Sequence, residues 1–552
     1  MIRQRLKKVI DACFDQGVQA GYWPADQAGK YTIEVPKREG QGDFSTNLAL
    51  IVAGQQKCNP RQIAGHLVAL LAPETELIAH LEIAGPGFVN IFLKASVWQQ
   101  TIIPVLAQHK NFGLSTTGHG KRVMVEFVSA NPTGPLSVGH GRQAILGDAI
   151  ARLLTATGHD VYREYYFNDA GRQMRVLGES TRARYLELLG LPSEFPEDGY
   201  QGGYIQDIAK EMITEHGDTL KDQADVAPFT QKAKELIFKD IAGTLERMGI
   251  VFDNYYNEHT LYENGHVDSV VAELRAKGLV YEKEGAVWFK TTDFGQEQDR
   301  VIIKSTGEPT YRLPDIAYHR EKFRRNFDWL VNVFGSDHIA TVPDVLAGVR
   351  ALGYDDSKIT VVLHQFVTLT RDGKQVKMST RKATFVTVDE LLDEVGVDVA
   401  RFFFMMRKAD SQLEFDLDLA TKESQENPVY YVQYAHARIC SILRQAAEKG
   451  VAKLSLPDVD ITLLAAPEEL QLLKSMAAFP AMIEDAALGL APHRVIFFLM
   501  DLAGQFHSYY NTHKVITDNI MLSQSRLCLM EALRVVLQNG LGIVGLSAPE
   551  EM

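Results

Sequence analysis

Apolar positions along the chain alternate between a period near 3.6 residues and a period of 2, and each change of period marks an element. The opening MIRQRLKKVIDACFDQG carries its apolar residues at helical spacing and predicts an amphipathic helix. YTIEVPKREGQGDFSTNLAL follows, then a helix after Asn59-Pro60 and a strand pair in LEIAGPGFVNIFL, so residues 1–110 predict a small α+β unit. HKNFGLSTTGHGKR, from His109, is polar and Gly-rich and reads as a linker. The texture changes at Val123. VMVEFVS is a β-rich run, a Gly- and Pro-rich loop follows, and Ile145, Leu146, Ala149, Ile150, Leu153 and Leu154 recur at helical spacing. DVYREYYFNDAG, after Gly158, predicts the next strand. Strand, loop, helix and strand make a βαβ unit, which calls for a parallel sheet.

Residues 172–289 are charged and mostly helical in pattern, and predict an insertion between two halves of that sheet. DWLVNVFGSDH and ITVVLHQFVTL supply strands of the second half. From about Asp389 the pattern is helical to the end. FFFMM at Phe402 and FDLDLA at Phe415 close a connecting segment, 389–424, and NPVYYVQYAHARICSILRQ from Asn427 opens an α-helical domain, 425–552. The expected fold class is thus α/β: a Rossmann-type parallel-sheet domain with a helical insertion at 111–388, a small α+β N-terminal domain and an all-α C-terminal domain.

Composition narrows the class without changing this layout. A chain of 552 residues exceeds one hydrophobic core, and 46% hydrophobic with 23% charged residues is ordinary for a soluble globular protein. Cys13, Cys58, Cys440 and Cys528 show no C-x-x-C spacing, which gives neither a disulfide framework nor a zinc site and fits a reducing cytoplasm. No metal site is expected from the protein's own ligands. The basic N-terminus lacks the long apolar run of a signal peptide, and stretches such as VIFFLMDLAG are too short or too charged to cross a bilayer. A net charge of -13 argues against a nucleic-acid partner only on average, since a binding face needs only local basic groups.

The chemistry concentrates in two loops. SANPTGPLSVGHGR, Ser129 to Arg142, leads into a helix start, where unpaired N–H groups and a partial positive charge favour an anion. Glycine lets the backbone approach a phosphate, and His140 offers a donor to a phosphoryl oxygen. The loop lacks the G-x-x-x-x-G-K-[ST] of a P-loop and the G-x-G-x-x-G of a dinucleotide fold. Downstream, TLTRDGKQVKMSTRKATFVT gathers Lys374, Lys377, Arg381 and Lys382 after a probable strand. Across a parallel sheet these cations can meet the charge that builds on a leaving pyrophosphate.

VGHG at Val138 and KMSTR at Lys377 resemble the two signature motifs of class I aminoacyl-tRNA synthetases, H-I-G-H and K-M-S-K-S, in the right order and on the right supersecondary elements. VEFVSANPTGPL, YYFNDAGRQM, EPTYRLPDIAYH, VFGSDH and NPVYYVQYAHARI resemble, more specifically, the arginyl-tRNA synthetases of the bacterial type, and the resemblance covers essentially the whole chain. It implies an ATP-dependent ligation of L-arginine to its tRNA through arginyl-adenylate, with AMP and pyrophosphate released and Mg²⁺ accompanying the ATP phosphates. It also implies a cytoplasmic monomer without membrane association, and an N-terminal domain that touches the tRNA elbow.

The same resemblance assigns residues. His140, Lys377, Ser137 and Ser379 would act in catalysis. Gly139, His140, Gly141, Gly335, Asp337, His338, Lys377 and Met378 would hold ATP. Glu126, Ser129, Asn131, Tyr311 and Asp315 would hold arginine, with Asp315 and Tyr311 on the guanidinium, whose five donors and fixed charge demand acids and oxygen acceptors. Tyr430, Tyr431, Tyr434 and Arg438, with Tyr509 and Asn511, would contact exposed tRNA bases, which offer faces for aromatic stacking. The chain departs from the family at Ser137, where a histidine is usual, and at Thr380, where the second lysine of the second motif stands. Two other readings stand beside this one: a tRNA-binding relative without activity, motivated by Ser137, and an adenylate-forming ligase of the wider superfamily that uses no tRNA.

Overall fold

The computed structural model describes residues 2–27, 31–36, 38, 40–74, 76–376, 386–451 and 456–552. In the N-terminal unit the helix Ile2–Gln19 buries Leu6, Ile10, Cys13 and Phe14. The helix Pro60–Leu71 starts where its sequence says it should, with the Asn59 side chain accepting from the Arg61 N–H and proline in the first turn. Four antiparallel strands, Ile33–Glu34, Phe44–Thr46, Phe88–Leu93 and Ile78–Ala84 in that spatial order, complete the unit.

The supposed linker is packed rather than free. Phe112 is buried and stacks on Phe479 of the C-terminal bundle at 6.1 Å, and Asn539 Nδ2 donates to the carbonyls of His109 (2.8 Å) and Phe112 (2.9 Å). Composition misread it because one aromatic anchor decides the packing of an otherwise polar stretch.

The central sheet has five parallel strands. In space they run Ile359–His364, Trp329–Gly335, Arg122–Glu126, Asp160–Phe167 and Asn254–Asn257. Chain order reverses between Arg122–Glu126 and Trp329–Gly335, so the crevice beyond their carboxyl ends is the topological switch point where open α/β sheets bind ligands. The edge strand Asn254–Asn257 falls inside the region expected to be inserted helix. Its four residues, NYYN, carry no alternation to betray them. The helices of that region are Arg172–Leu188, Gly203–His216, Ala227–Arg247, His259–Glu263 and His266–Ala276, and Val280–Lys283, Ala286–Phe289 and, just beyond it, Arg300–Ile303 form a further antiparallel sheet.

The helix Val138–Ala156 fills the middle of the molecule and is buried on nearly every face. Such a helix shows no amphipathic stripe because it has no solvent side. Gly147 is required there, since a Cβ would stand 2.2 Å from Phe127 Cγ. Polar residues on the helix tie it down. Arg142 donates to the carbonyls of Gln365, Lys408 and Ser411, and Gln143 to that of Val333. Asp148 pairs with the buried Arg401, which also donates to the carbonyls of Met248 and Val544. One buried ion pair therefore touches the central helix, the end of the helix Ala227–Arg247 and the end of the C-terminal domain.

Residues 388–420 hold the helices Val388–Val395, Val397–Met405 and Leu417–Ala420. The strand Leu413–Asp416 pairs in parallel with Val367–Arg371. The last domain packs Pro428–Glu448, Pro467–Leu488, His493–Thr512 and Ile520–Ile543 around a Leu-, Ala- and Phe-rich core. Among the described residues no helix is long and apolar enough to cross a membrane.

Candidate active site

The strand Arg122–Glu126 ends at the switch point and hands the chain to the loop before Val138. The turn is tight: Val128 and Ser129 have φ of 69° and 43°. A β-branched residue in the left-handed region costs about 1–3 kcal/mol, a strain that the surrounding contacts must offset. Those contacts are the Tyr165 hydroxyl donating to the Ala130 carbonyl at 2.9 Å, the Tyr166 N–H donating to Ser129 Oγ at 3.1 Å, and Ser129 Oγ donating to Glu126 Oε1 at 3.2 Å. From the insertion, the Tyr204 hydroxyl donates to the Thr133 carbonyl. Asn131 lies in this loop, half-buried, with its backbone carbonyl accepting from the Thr133 N–H.

Beside the loop three acidic groups, Glu126, Glu258 and Asp315, gather around the Tyr166 hydroxyl. Glu126 is buried, and its other carboxylate oxygen takes a bond from the buried Lys322. Asp315, half-buried in the first turn of the helix Arg312–Arg324, forms no ion pair with a described residue. Glu258 is buried, and its Oε2 has no hydrogen-bond partner. The buried Tyr166 hydroxyl has none either. Burial first, and the neighbouring Glu258 and Glu126 charges second, push Asp315 up to about 8. Burial, and then Asp169, push Glu258 up to about 7. Two carboxyls pushed up chiefly by burial describe a site that a cation with several donors would complete.

Glu258 is itself held in place. The Asp169 carboxylate accepts from the His259 N–H at 3.1 Å and pairs with the His259 ring at 2.6 Å and with Lys234 at 3.2 Å, fixing the turn that carries Glu258. Tyr311 stands at the mouth, 69% exposed, with an open face.

On the other side of the switch point, Ser137 caps the helix. Its N–H donates to His140 Nδ1 at 3.2 Å, and its hydroxyl lies 3.2 Å from the same nitrogen. Because Nδ1 accepts, the neutral ring carries its proton on Nε2, turned away as a donor. Burial keeps His140 neutral by lowering its pKa, against the pull of Asp337. Ser137 thus meets the His140 ring through both its N–H and its hydroxyl. A Cβ at Gly139 would meet only Ser137 Oγ, at 3.7 Å, leaving open space above the helix start. At Gly141 it would stand 2.9 Å from Val388 Cγ2, so that glycine serves helix packing.

Gly335 ends the neighbouring strand, and Asp337 and His338 follow it. A Cβ on Gly335 would strike Asp337 Oδ1 at 2.3 Å, and Asp337 and His338 are both exposed, the carboxylate 3.7 Å from the imidazole Nε2. The buried His364, at the end of the next strand, was not legible in the sequence: its Nδ1 faces the Gln365 carbonyl at 3.3 Å and its Nε2 is buried without a partner. Burial brings its pKa down to about 4. Lys377, Met378 and Ser379 lie outside the described residues. Beyond that stretch Thr387 bridges Ser137, and the Val388 N–H donates to the Leu136 carbonyl at 2.8 Å.

In the C-terminal bundle Tyr430 and Tyr434 stack at 5.9 Å, and Arg438 lies over the rings of Tyr434 (5.5 Å) and Tyr510 (4.5 Å). All four are half-buried, and Asn511 is exposed nearby. Tyr509 departs from its expectation. It is fully buried, with its hydroxyl toward Glu469 at 3.4 Å, and presents no face to a base. Tyr510, one position on, takes the outward direction that a 100° helical step provides.

Family models match in three blocks: an arginyl tRNA synthetase N terminal domain over residues 1–93, a tRNA synthetases class I (R) catalytic domain over 101–426 and a DALR anticodon binding domain over 432–552. The chain is similar along its whole length to an arginine–tRNA ligase of Desulfotalea psychrophila, 69% identical with all of both chains covered. It is 48% identical to one of Geobacter sp. strain M21, covering 100% of this chain and 99% of the other. Among solved structures it resembles a putative arginyl-tRNA synthetase of Campylobacter jejuni (TM-score 0.76, 31% identity, 83% of this chain and 100% of that one). The fold is also that of the Thermus thermophilus arginyl-tRNA synthetase (TM-score 0.77, 23% identity, 100% of both chains).

Proposed function

This chain belongs to the arginyl-tRNA synthetases and ligates arginine to tRNA with ATP, a class I reaction; from that premise we propose which of its residues hold and move each group. The observation that carries the reading is the cluster of Glu258, Asp315 and Glu126 around the Tyr166 hydroxyl, in which that hydroxyl and Glu258 Oε2 are buried without partners, beside the switch point of the sheet. A guanidinium fits it: Asp315 and Glu258 take its N–H donors, Tyr166 lends polarity, and Tyr311 closes over its plane. Glu126 and Ser129 hold the α-ammonium, and Asn131 the backbone end of the amino acid.

That arrangement aims the arginine carboxylate toward the start of the helix Val138–Ala156. The carboxylate oxygen attacks the α-phosphorus of ATP and pyrophosphate leaves. His140 donates from Nε2 to a phosphoryl oxygen, the helix N-terminus faces the growing charge, and Gly139 leaves room for the phosphates. His364 Nε2 accepts from a hydroxyl or amine of the nucleoside, and Gly335, Asp337 and His338 line that side. Lys377 is assigned to the leaving pyrophosphate, with Met378 on the nucleotide and Ser379 assisting. This rests on the motif and on Thr387 and Val388 lying against Ser137 and Leu136. The tRNA 2′-hydroxyl then attacks the arginyl carbonyl and AMP leaves. No side chain forms a covalent bond, so positioning and electrostatics carry the rate.

Among the described residues no group of three or more His, Cys, Asp or Glu gathers as a metal cage. Mg²⁺ would arrive on the ATP phosphates, as part of the substrate. The cluster of Tyr430, Tyr434, Arg438 and Tyr510, with Asn511, stacks on anticodon-loop bases, and the N-terminal unit meets the tRNA elbow. The enzyme acts as a cytoplasmic monomer. The readings without catalysis or without tRNA are not favoured, since full-length relatives are arginine–tRNA ligases and all three domains match. Arginine-dependent ATP–pyrophosphate exchange in Glu258→Gln tests the site assignment. Its KM for arginine should rise at least tenfold with little change for ATP, and an unchanged KM would remove Glu258 from the pocket.

A further inference from the structure

The two ends of the arginine pocket stand on different elements. Glu126 closes the strand Arg122–Glu126, and Asp315 belongs to the helix Arg312–Arg324. A continuous run of hydrogen bonds joins them through the interior. Lys322 Nζ donates to Glu126 Oε2 and, at 2.9 Å, to Asn332 Oδ1. Asn332, on the strand Trp329–Gly335, donates through Nδ2 to His319 Nε2 at 2.9 Å, and His319 Nδ1 donates to the Asp315 carbonyl at 2.8 Å. Lys322, Asn332 and His319 are exposed by 0%, 1% and 5%.

Each link dictates the next. An ammonium only donates, so the Asn332 oxygen faces Lys322 and its NH₂ faces His319. The ring therefore accepts at Nε2 and carries its proton on Nδ1, where the Asp315 carbonyl takes it. Burial, aided by Lys322, lowers His319 to about 3, so the ring is neutral, as this order of donors requires. The network also balances charge. Glu126, Glu258 and Asp315 bring three carboxyl groups and Lys322 one ammonium, a surplus that matches the two cationic ends of arginine when the carboxyls are ionised.

An apolar trio of similar volume would fill the same space at no desolvation cost, so stability alone does not call for these residues. What they add is a fixed separation. We propose that Lys322, Asn332 and His319 are positioning residues that set the distance between the Glu126 carboxylate and Asp315, and so select arginine by the length of its side chain. The proposal rests on the reading that Glu126 holds the α-ammonium and Asp315 the guanidinium. A side chain one methylene longer cannot satisfy both ends while the network holds them. Loosening it should admit homoarginine.

The test charges cognate tRNA with arginine and with homoarginine, using the full-length protein and the variants Asn332→Asp, Lys322→Met and Asp315→Asn, each checked for native circular dichroism. Asn332→Asp changes one NH₂ to oxygen and removes the donor to His319 at constant volume. It carries the test alone if Lys322→Met does not fold. The expected result for Asn332→Asp is an arginine KM raised about tenfold, kcat within about threefold, and the preference for arginine over homoarginine narrowed at least tenfold. A merely structural role would lower activity on both amino acids together and leave their ratio unchanged, which overturns the proposal. Asp315→Asn separates the two layers. If it raises the arginine KM while the network variants leave KM and preference intact, the length-setting role is wrong and the pocket stands. If Asp315→Asn leaves the arginine KM unchanged, the pocket reading falls and takes the proposal with it.

Discussion

Arginine binding should release protons, in a number that the pocket sets. Empty, Glu258 sits near 7 and Asp315 near 8, both raised chiefly by burial. A bound guanidinium needs both ionised. Their protons must therefore leave on binding wherever the empty pocket still holds them, and affinity rises with pH until both are lost. At pH 6 about nine in ten Glu258 and nearly all Asp315 groups are protonated, so binding releases about two protons. The number falls through pH 7 and 8 toward zero as first Glu258 and then Asp315 ionises in the empty site. The dissociation constant should fall steeply from pH 6 to its plateau above pH 8. The sign for folding runs the other way. A carboxyl whose folded pKa is raised favours the folded state at low pH, and that contribution is lost as pH rises from about 4 through 7 to 8, while arginine restores stability in the upper part of the range. Isothermal titration of arginine at pH 6, 7 and 8, each in two buffers of different ionisation heat, counts the protons directly. Asp315→Asn should remove the larger share at pH 8. A count near zero at pH 6 would refute the reasoning, because it would mean that both carboxyls are already ionised in the empty site.

The remaining expectations are simpler. Ser137→Ala removes the hydroxyl beside His140 and weakens the helix cap. It should cost about 1 kcal/mol in urea unfolding and slow pyrophosphate exchange several-fold, with the arginine KM unchanged. Gly147→Ala drives a methyl group into Phe127, just before the strained Val128–Ser129 turn, and should lower stability by about 1–3 kcal/mol together with activity. Tyr434→Ala should raise the KM for tRNA in charging and leave pyrophosphate-exchange constants for arginine alone. Tyr509→Ala, which empties a buried site, should instead lower the unfolding free energy by about 3–5 kcal/mol.

What could be read from the chain alone was local. The loop from Ser129 to Arg142, the helix behind it and the strands on either side announce themselves by composition and period. The histidine, the glycines and Asp315 could be assigned because they sit inside contiguous motifs. Glu258 could not, because its meaning depends on Asp315 and Tyr166 standing beside it in space while the NYYNEH segment around it has no periodicity. His364 and Lys322 were hidden for the same reason: a histidine at a strand end and a lysine in a basic helix look ordinary until their burial is known. Tyr509 and Tyr510 show the limit from the other side. Two adjacent tyrosines on a helix are equal in sequence, and only the packing of Glu469 against one of them decides which faces out.

The most direct single measurement is transfer of labelled arginine to its tRNA by the intact protein and by Asp315→Asn, with the arginine KM determined for each. The unaltered chain should charge tRNA stably, and the variant should need at least tenfold more arginine while its KM for ATP holds. Charging by Asp315→Asn with an unchanged arginine KM would contradict the placement of the guanidinium and, with it, the site as built here.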